Sequence, residues 1–137
     1  MARIRGRDTK PEMVLRRALH ARGFRYRLHA KELPGRPDLV FPRYKAAVFI
    51  HGCFWHGHNC ELFRLPGTRT DFWRDKIAGN ETRDSKALAA LAASGWRTLV
   101  VWECSMRGSK RRSVEETVDE IAAWLDSNEP AGELRGR

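Results

Sequence analysis

Residues 46–60 read Ala-Ala-Val-Phe-Ile-His-Gly-Cys-Phe-Trp-His-Gly-His-Asn-Cys, and this stretch constrains the fold more than any other. Its first five residues are an apolar run with the composition of a buried strand. At Gly52 the run gives way to a loop dense in cysteine, histidine and aromatic side chains. Cys53, His58 and Cys60 fall at Cys-x4-His-x-Cys spacing, and Cys104 is the only other cysteine in the chain. Three thiolates and one imidazole make a closed tetrahedral set for Zn²⁺, which takes soft sulfur and borderline nitrogen ligands. His56 lies in the same interval as His58, so spacing alone leaves both open as the nitrogen ligand. Four protein ligands would leave zinc no position for water and make it structural, whereas a catalytic zinc would keep one position free. A bare zinc knuckle has no need of His51, of a third histidine, or of Phe54 and Trp55. The loop is therefore expected to carry chemistry as well.

Elsewhere the chain reads as an α/β domain. Thr9 with Glu12 forms a capping box that starts a helix, which ends near Gly23. Glu12 shares a helix face with Leu15 and Leu19, so it serves either as a cap alone or as a carboxylate delivered to a site. Residues 24–29 alternate like a half-buried strand. Leu33-Pro34-Gly35-Arg36-Pro37 is a loop, and Asp38 opens the strand 39–41. Residues 42–45 turn that strand back into 46–50 as a hairpin. Without its context, Asp38 would pass for a surface turn residue. Thr70 can cap a short helix carrying Asp71, Phe72 and Trp73, and a second helix runs from about Glu81 to Ser94. Leu88 and Leu91 place Asp84 toward the core side of that second helix, where a carboxylate needs a partner such as an imidazole. Its plainer reading is a first-turn acid answering the helix dipole. Residues 97–103 make an interior strand ending at Cys104. Ser113 with Glu116 caps a last helix whose stripe is Val114, Val118, Ile121 and Leu125. Trp96, Trp102 and Trp124 are expected in the core. One domain is expected over residues 1–127, with 128–137 as a frayed tail.

With 26 Lys+Arg against 17 Asp+Glu, the net charge of +9 asks for a polyanionic partner. Nucleic acid leads, because no basic amphipathic anchor and no long apolar run supports a membrane. A merely solvated basic face is the alternative. No apolar segment follows Arg3, Arg5, Arg7 and Lys10, so no signal peptide is read, and a cytoplasmic monomer is expected. Three cysteines in such a chain speak for metal rather than disulfides.

His-Gly-Cys-Phe-Trp-His-x-His-x-Cys, preceded by Leu-Pro-Gly-Arg-Pro-Asp and followed by Thr-Arg-Thr-Asp-Phe-Trp and Val-Trp-Glu-Cys, resembles the very short patch repair (Vsr) endonucleases. The motifs stand in the family's order from Met1 to about Arg111. The resemblance implies a restriction-endonuclease-like core, a mixed sheet flanked by helices with a structural zinc site, although the Glu-x-Lys pair of the wider superfamily is missing. It implies a Mg²⁺-dependent endonuclease that nicks duplex DNA beside a T:G mismatch. A functional link to a cytosine-5 DNA methyltransferase would follow from that activity, as would association with the nucleoid. Asp38 and the main-chain carbonyl of Ile50 would hold Mg²⁺, and His56 would be the general base, oriented by Asp84. Glu12 and His51 would hold water near the cation. Cys53, His58, Cys60 and Cys104 would bind Zn²⁺. Phe54, Trp55 and Trp73 would wedge into the mismatched stack, with Arg64, Arg69, Arg74 and Lys76 on phosphates. Members also carry a basic arm ahead of the position of Met1, and a chain starting at Met1 is expected to bind DNA more weakly. Two other readings stay open: a zinc-stabilised DNA-binding module without catalysis, and a restriction-type nuclease without mismatch preference. A pure binding module would not require Asp38, His56 and Asp84, and a nuclease indifferent to mismatches would not need the wedge aromatics.

Overall fold

The apolar run at residues 46–51 is buried almost throughout, so successive side chains on opposite faces of one strand both need cover. The computed structural model, which describes residues 10–137, supplies that cover with helices on either side of a sheet. In chain order the elements are α1 (Lys10–Ala21), β1 (Arg27–Leu28), β2 (Leu39–Phe41), β3 (Ala46–His51), α2 (Thr70–Ala93), β4 (Arg97–Trp102), α3 (Val114–Asp126) and β5 (Ala131–Leu134). They build a mixed α/β fold whose five strands lie in the order β1-β2-β3-β4-β5. The first three are antiparallel neighbours, β2 and β3 forming the expected hairpin, whereas β4 and β5 join in parallel.

Register assigns each face its helices. Ala46, Val48, Leu99, Val101 and Leu134 point to one side, where they meet Leu15 and Leu19 of α1 and Val118, Ile121 and Leu125 of α3. Ala47, Phe49 and Val100 point to the other and meet Leu91 of α2, with Trp96 and Trp102 packed alongside. Burying a side chain such as Leu39 or Phe41, both fully enclosed, contributes roughly 1.5–3 kcal/mol. His51 continues the second face at the end of β3, opposite Trp102 in register. Chemistry can therefore gather where the parallel strands end, beyond the core.

Four local expectations need correction. Residues 128–137 do not fray as a whole: β5 pairs with β4 from Thr98↔Ala131 to Val101↔Leu134, and Leu134 is buried. Composition hid this strand because its pairing is made by backbone groups, with a single large apolar side chain as anchor. The two short helices are one helix of 24 residues, α2. Gly79 costs such a helix only about 1 kcal/mol relative to alanine, and Asn80 donates from Nδ2 to the Trp55 carbonyl at 2.8 Å. Thr70 is not the cap of α2: Arg69 takes that position with φ of 56°, and the Thr70 hydroxyl donates instead to Pro66 O. The strand expected over 24–29 shrinks to two exposed residues, while Phe24 and Tyr26 turn their rings onto Phe41. The Ser113–Glu116 capping box forms as expected. The Thr9–Glu12 box rests on Thr9, outside the described residues.

Candidate active site and metal centre

The loop after β3 is wound tightly. His56 N–H donates to Gly52 O, Gly57 N–H to Phe54 O, and His58 N–H to Cys53 O. The Cys53 N–H is taken by the Glu103 carboxylate at 3.1 Å. Gly57 has φ of +65°, a left-handed conformation that favours glycine, and a Cβ there would stand 2.9 Å from the buried Ile77 Cγ2 of α2.

Folding brings Cys53, His58, Cys60 and Cys104 together, with one ligand atom from each within 4.8 Å of the others. His58 Nδ1 is 3.5 Å from Cys53 Sγ and 3.6 Å from Cys104 Sγ. The S–N edge of a tetrahedron built on ordinary Zn–S and Zn–N bond lengths is about 3.6 Å, so these two edges and the donor chemistry suit zinc. Burial raises the Cys53 and Cys104 thiol pKa values above the ordinary range. A cation among the sulfurs is what would favour the thiolates. His58 is the histidine gathered with the three cysteines, whereas His56 groups with His51 and Asp84.

His56 instead meets α2: its Nδ1 is 2.5 Å from Asp84 Oδ2, and Nε2 is not part of that contact. The His51 ring stacks on His56 with centroids 3.8 Å apart and planes 4° from parallel. Burial, followed by the neighbouring His56, pushes the His51 pKa down to about 3 and keeps that ring neutral. Asp38 is buried at the mouth of β2, and its Oδ2 accepts the Ile50 N–H at 2.6 Å. This bond places the carboxylate beside the end of β3, as expected. The cleft at these strand ends, about 480 Å³, is lined by His29, Lys31, Arg36, Asp38, Ile50, His51, His56 and Asp84 among others. Glu12 stands behind that wall, fully buried, with Arg16 Nη1 and His29 Nε2 each 3.4 Å from its Oε2.

His29 was missed by sequence reasoning. It bridges two acids, Nε2 toward Glu12 and Nδ1 3.8 Å from Asp38 Oδ1, from a left-handed backbone with φ of 48°. Glu12, His29 and Asp38 form one further set of atoms close enough to hold a cation, as do His51, His56 and Asp84. The only sequence signal was a histidine shortly before the Pro-Gly-Arg-Pro-Asp loop.

Phe54, Trp55 and Trp73 do converge, with ring centroids between 5.1 and 5.7 Å apart, all half-buried. Phe63 and Phe72, neither read as a wedge from sequence, extend the cluster. Arg64, Arg69, Arg74 and Lys76 are exposed on the adjoining surface. Arg74 pairs with Asp71, and Arg69 lies over the Phe72 ring at 4.3 Å. Among the described residues no helix is long and apolar enough to cross a membrane.

Comparison with known proteins follows the same lines. The family model described as DNA mismatch endonuclease Vsr matches residues 1–62. The type II nicking enzyme V.XorIIP of Xanthomonas oryzae is 51% identical over 106 residues, covering 77% of this chain and 78% of that protein. The DNA mismatch endonuclease Vsr of Escherichia coli is 42% identical over 125 residues, covering 91% and 80%. The nicking enzyme V.NmeAIP of Neisseria meningitidis is 43% identical over 123 residues, covering 88% of each chain. With relatives this similar over most of its length, the chain belongs to the Vsr family of DNA endonucleases.

Proposed function

We propose that this protein is a Mg²⁺-dependent endonuclease that nicks one strand of duplex DNA beside a T:G mismatch. The observation that carries the reading is the His56–Asp84 pair, 2.5 Å apart on the wall of a cleft that also contains Asp38. Phosphodiester hydrolysis requires a proton acceptor for the attacking water and positive charge at the phosphate. His56 accepts the water's proton at Nε2 while Asp84, on Nδ1, holds the ring in that tautomer and stabilises its charged form. Asp38 and the Ile50 carbonyl hold Mg²⁺, a hard cation suited to oxygen ligands, which supplies charge stabilisation at the phosphate. The neutral His51 orients water beside it, and Glu12, behind the cleft wall, holds His29 next to Asp38. The hairpin that carries Asp38 next to β3, within a helix-flanked mixed sheet, supports a restriction-endonuclease-like core.

Zn²⁺ on Cys53, His58, Cys60 and Cys104 fixes the loop that carries His56, and structural zinc contributes directly to folding. Mismatch selectivity belongs to the cluster of Phe54, Trp55 and Trp73. Aromatic wedges entering between base steps meet a smaller unstacking cost at a mismatch than in matched DNA. The exposed Arg64, Arg69, Arg74 and Lys76 contact phosphates, which position the duplex without reading it.

The test is nicking and binding of a T:G duplex by the wild type and by Asp38→Ala, with Mg²⁺ and with a chelator. Wild-type nicking that stops on chelation, and an Asp38→Ala variant that binds but does not nick, are expected. Undiminished nicking by Asp38→Ala would contradict the assignment of the cation site.

A further inference from the structure

The C-terminal strand and the residues after it meet the cysteine–histidine cluster at three points. The Gly136 N–H donates to Cys104 Sγ at 3.3 Å, and Arg135 Nη2 donates to Asn59 O at 2.7 Å. A Cβ on Gly136 would stand 2.7 Å from the Cys104 carbonyl, so only glycine allows this approach. Glu133, on β5, accepts the Trp102 indole N–H through Oε1 at 2.7 Å, and the same oxygen lies 3.7 Å from His58 Nε2.

The third meeting point has chemical content. His58 turns Nδ1 to both Cys53 Sγ and Cys104 Sγ. When Nδ1 ligates a metal, the proton of the neutral ring sits on Nε2. That Nε2 is buried, and no hydrogen-bond partner satisfies it. Metal-ligating histidines nearly always donate their second N–H to a carboxylate, carbonyl or water, which fixes the ring and raises its basicity. Glu133 Oε1 is the carboxylate oxygen in place. With 55% of its side chain exposed it is able to move, and closing the gap to hydrogen-bonding distance takes less than about 1 Å.

We infer that Glu133 is a positioning residue of the zinc centre, its carboxylate accepting both the His58 Nε2–H and the Trp102 indole N–H. The inference rests on the zinc reading given above. It reaches the active site through Trp102, whose ring stacks on His58 at 3.9 Å and meets the His51 ring edge-on at 5.3 Å. One carboxylate on the last strand thereby fixes the zinc-ligating imidazole and the indole that borders the cleft histidines.

The test uses the full zinc-loaded chain and follows zinc transfer to a chromophoric chelator, alongside the visible spectrum of the Co²⁺-substituted protein. Glu133→Ala is expected to release zinc roughly 10- to 100-fold faster. Glu133→Gln, which keeps an acceptor oxygen, should fall between that variant and the wild type. The thiolate–Co²⁺ band should persist in both, because the ligands are unchanged. Glu129→Ala removes a neighbouring exposed carboxylate and should release zinc at the wild-type rate. Wild-type release by Glu133→Ala, or equal acceleration by Glu129→Ala, would overturn the role of Glu133 while leaving the zinc site standing. A folded wild-type chain that holds no zinc would overturn the zinc reading itself, and this inference with it.

Discussion

At the residue scale the proposed chemistry reduces to which nitrogen of which histidine does what. His58 spends Nδ1 on the sulfurs, His56 spends Nδ1 on Asp84, and His51 is kept neutral by burial. Removing the proposed base by His56→Ala should lower single-turnover nicking by about 10²- to 10⁴-fold, the usual worth of general-base catalysis, with DNA affinity little changed. Asp84→Asn disturbs orientation without removing the base, so its loss should be smaller, roughly 10- to 100-fold. Nicking by His56→Ala at the wild-type rate would move the proton acceptor elsewhere, His51 first. Spacing could gather Cys53 and Cys60 with one of His56 and His58, because metal ligands recur at short intervals, and Cys104 joined them as the only other cysteine. His29 escaped because its closeness to Glu12 and Asp38 comes from a left-handed turn and a hairpin, neither of which has a motif.

At the scale of elements, pattern was legible where side chains decide the structure. The hairpin of β2 and β3 and strand β4 announce themselves as continuous apolar runs, and the capped helix α3 by its apolar stripe at helical spacing. It failed where the backbone decides. β5 is held by pairing with β4 and one buried leucine, and α2 runs through Gly79 because neighbouring turns carry it. The α3 cap allows a stability prediction. Ser113→Ala should cost about 1 kcal/mol in denaturant unfolding, the typical loss of an N-cap hydroxyl. Glu116, the other half of the box, has its pKa lowered by the Ser113 backbone N–H and then by Arg137. Its contribution is therefore present above the unfolded carboxyl pKa and fades as pH falls through the lower, folded value. Stability curves of Glu116→Gln should run flatter than wild type on the acid side. Identical acid limbs would show that the pairing has no energetic weight.

At the scale of the whole molecule, a charge of +9 and an aromatic cluster play separable parts. Phosphate contacts release counterions, so binding should weaken steeply with salt on matched and mismatched duplexes alike, and Arg74→Ala should weaken both nearly equally. Trp55→Ala removes a stacking surface worth roughly 1–3 kcal/mol per base. It should hurt the mismatched substrate more, because only there is the wedge offset by cheap unstacking. The central claim is that this cleft nicks DNA where a T:G pair weakens the stack. The measurement that bears on it most directly is the ratio of wild-type nicking rates on otherwise identical T:G and T:A duplexes, with Mg²⁺ present at one fixed salt concentration. The account predicts nicking of the T:G duplex favoured by about tenfold or more, equivalent to 1.4 kcal/mol or above. Equal rates on the two duplexes would contradict it and leave a nicking enzyme without mismatch preference.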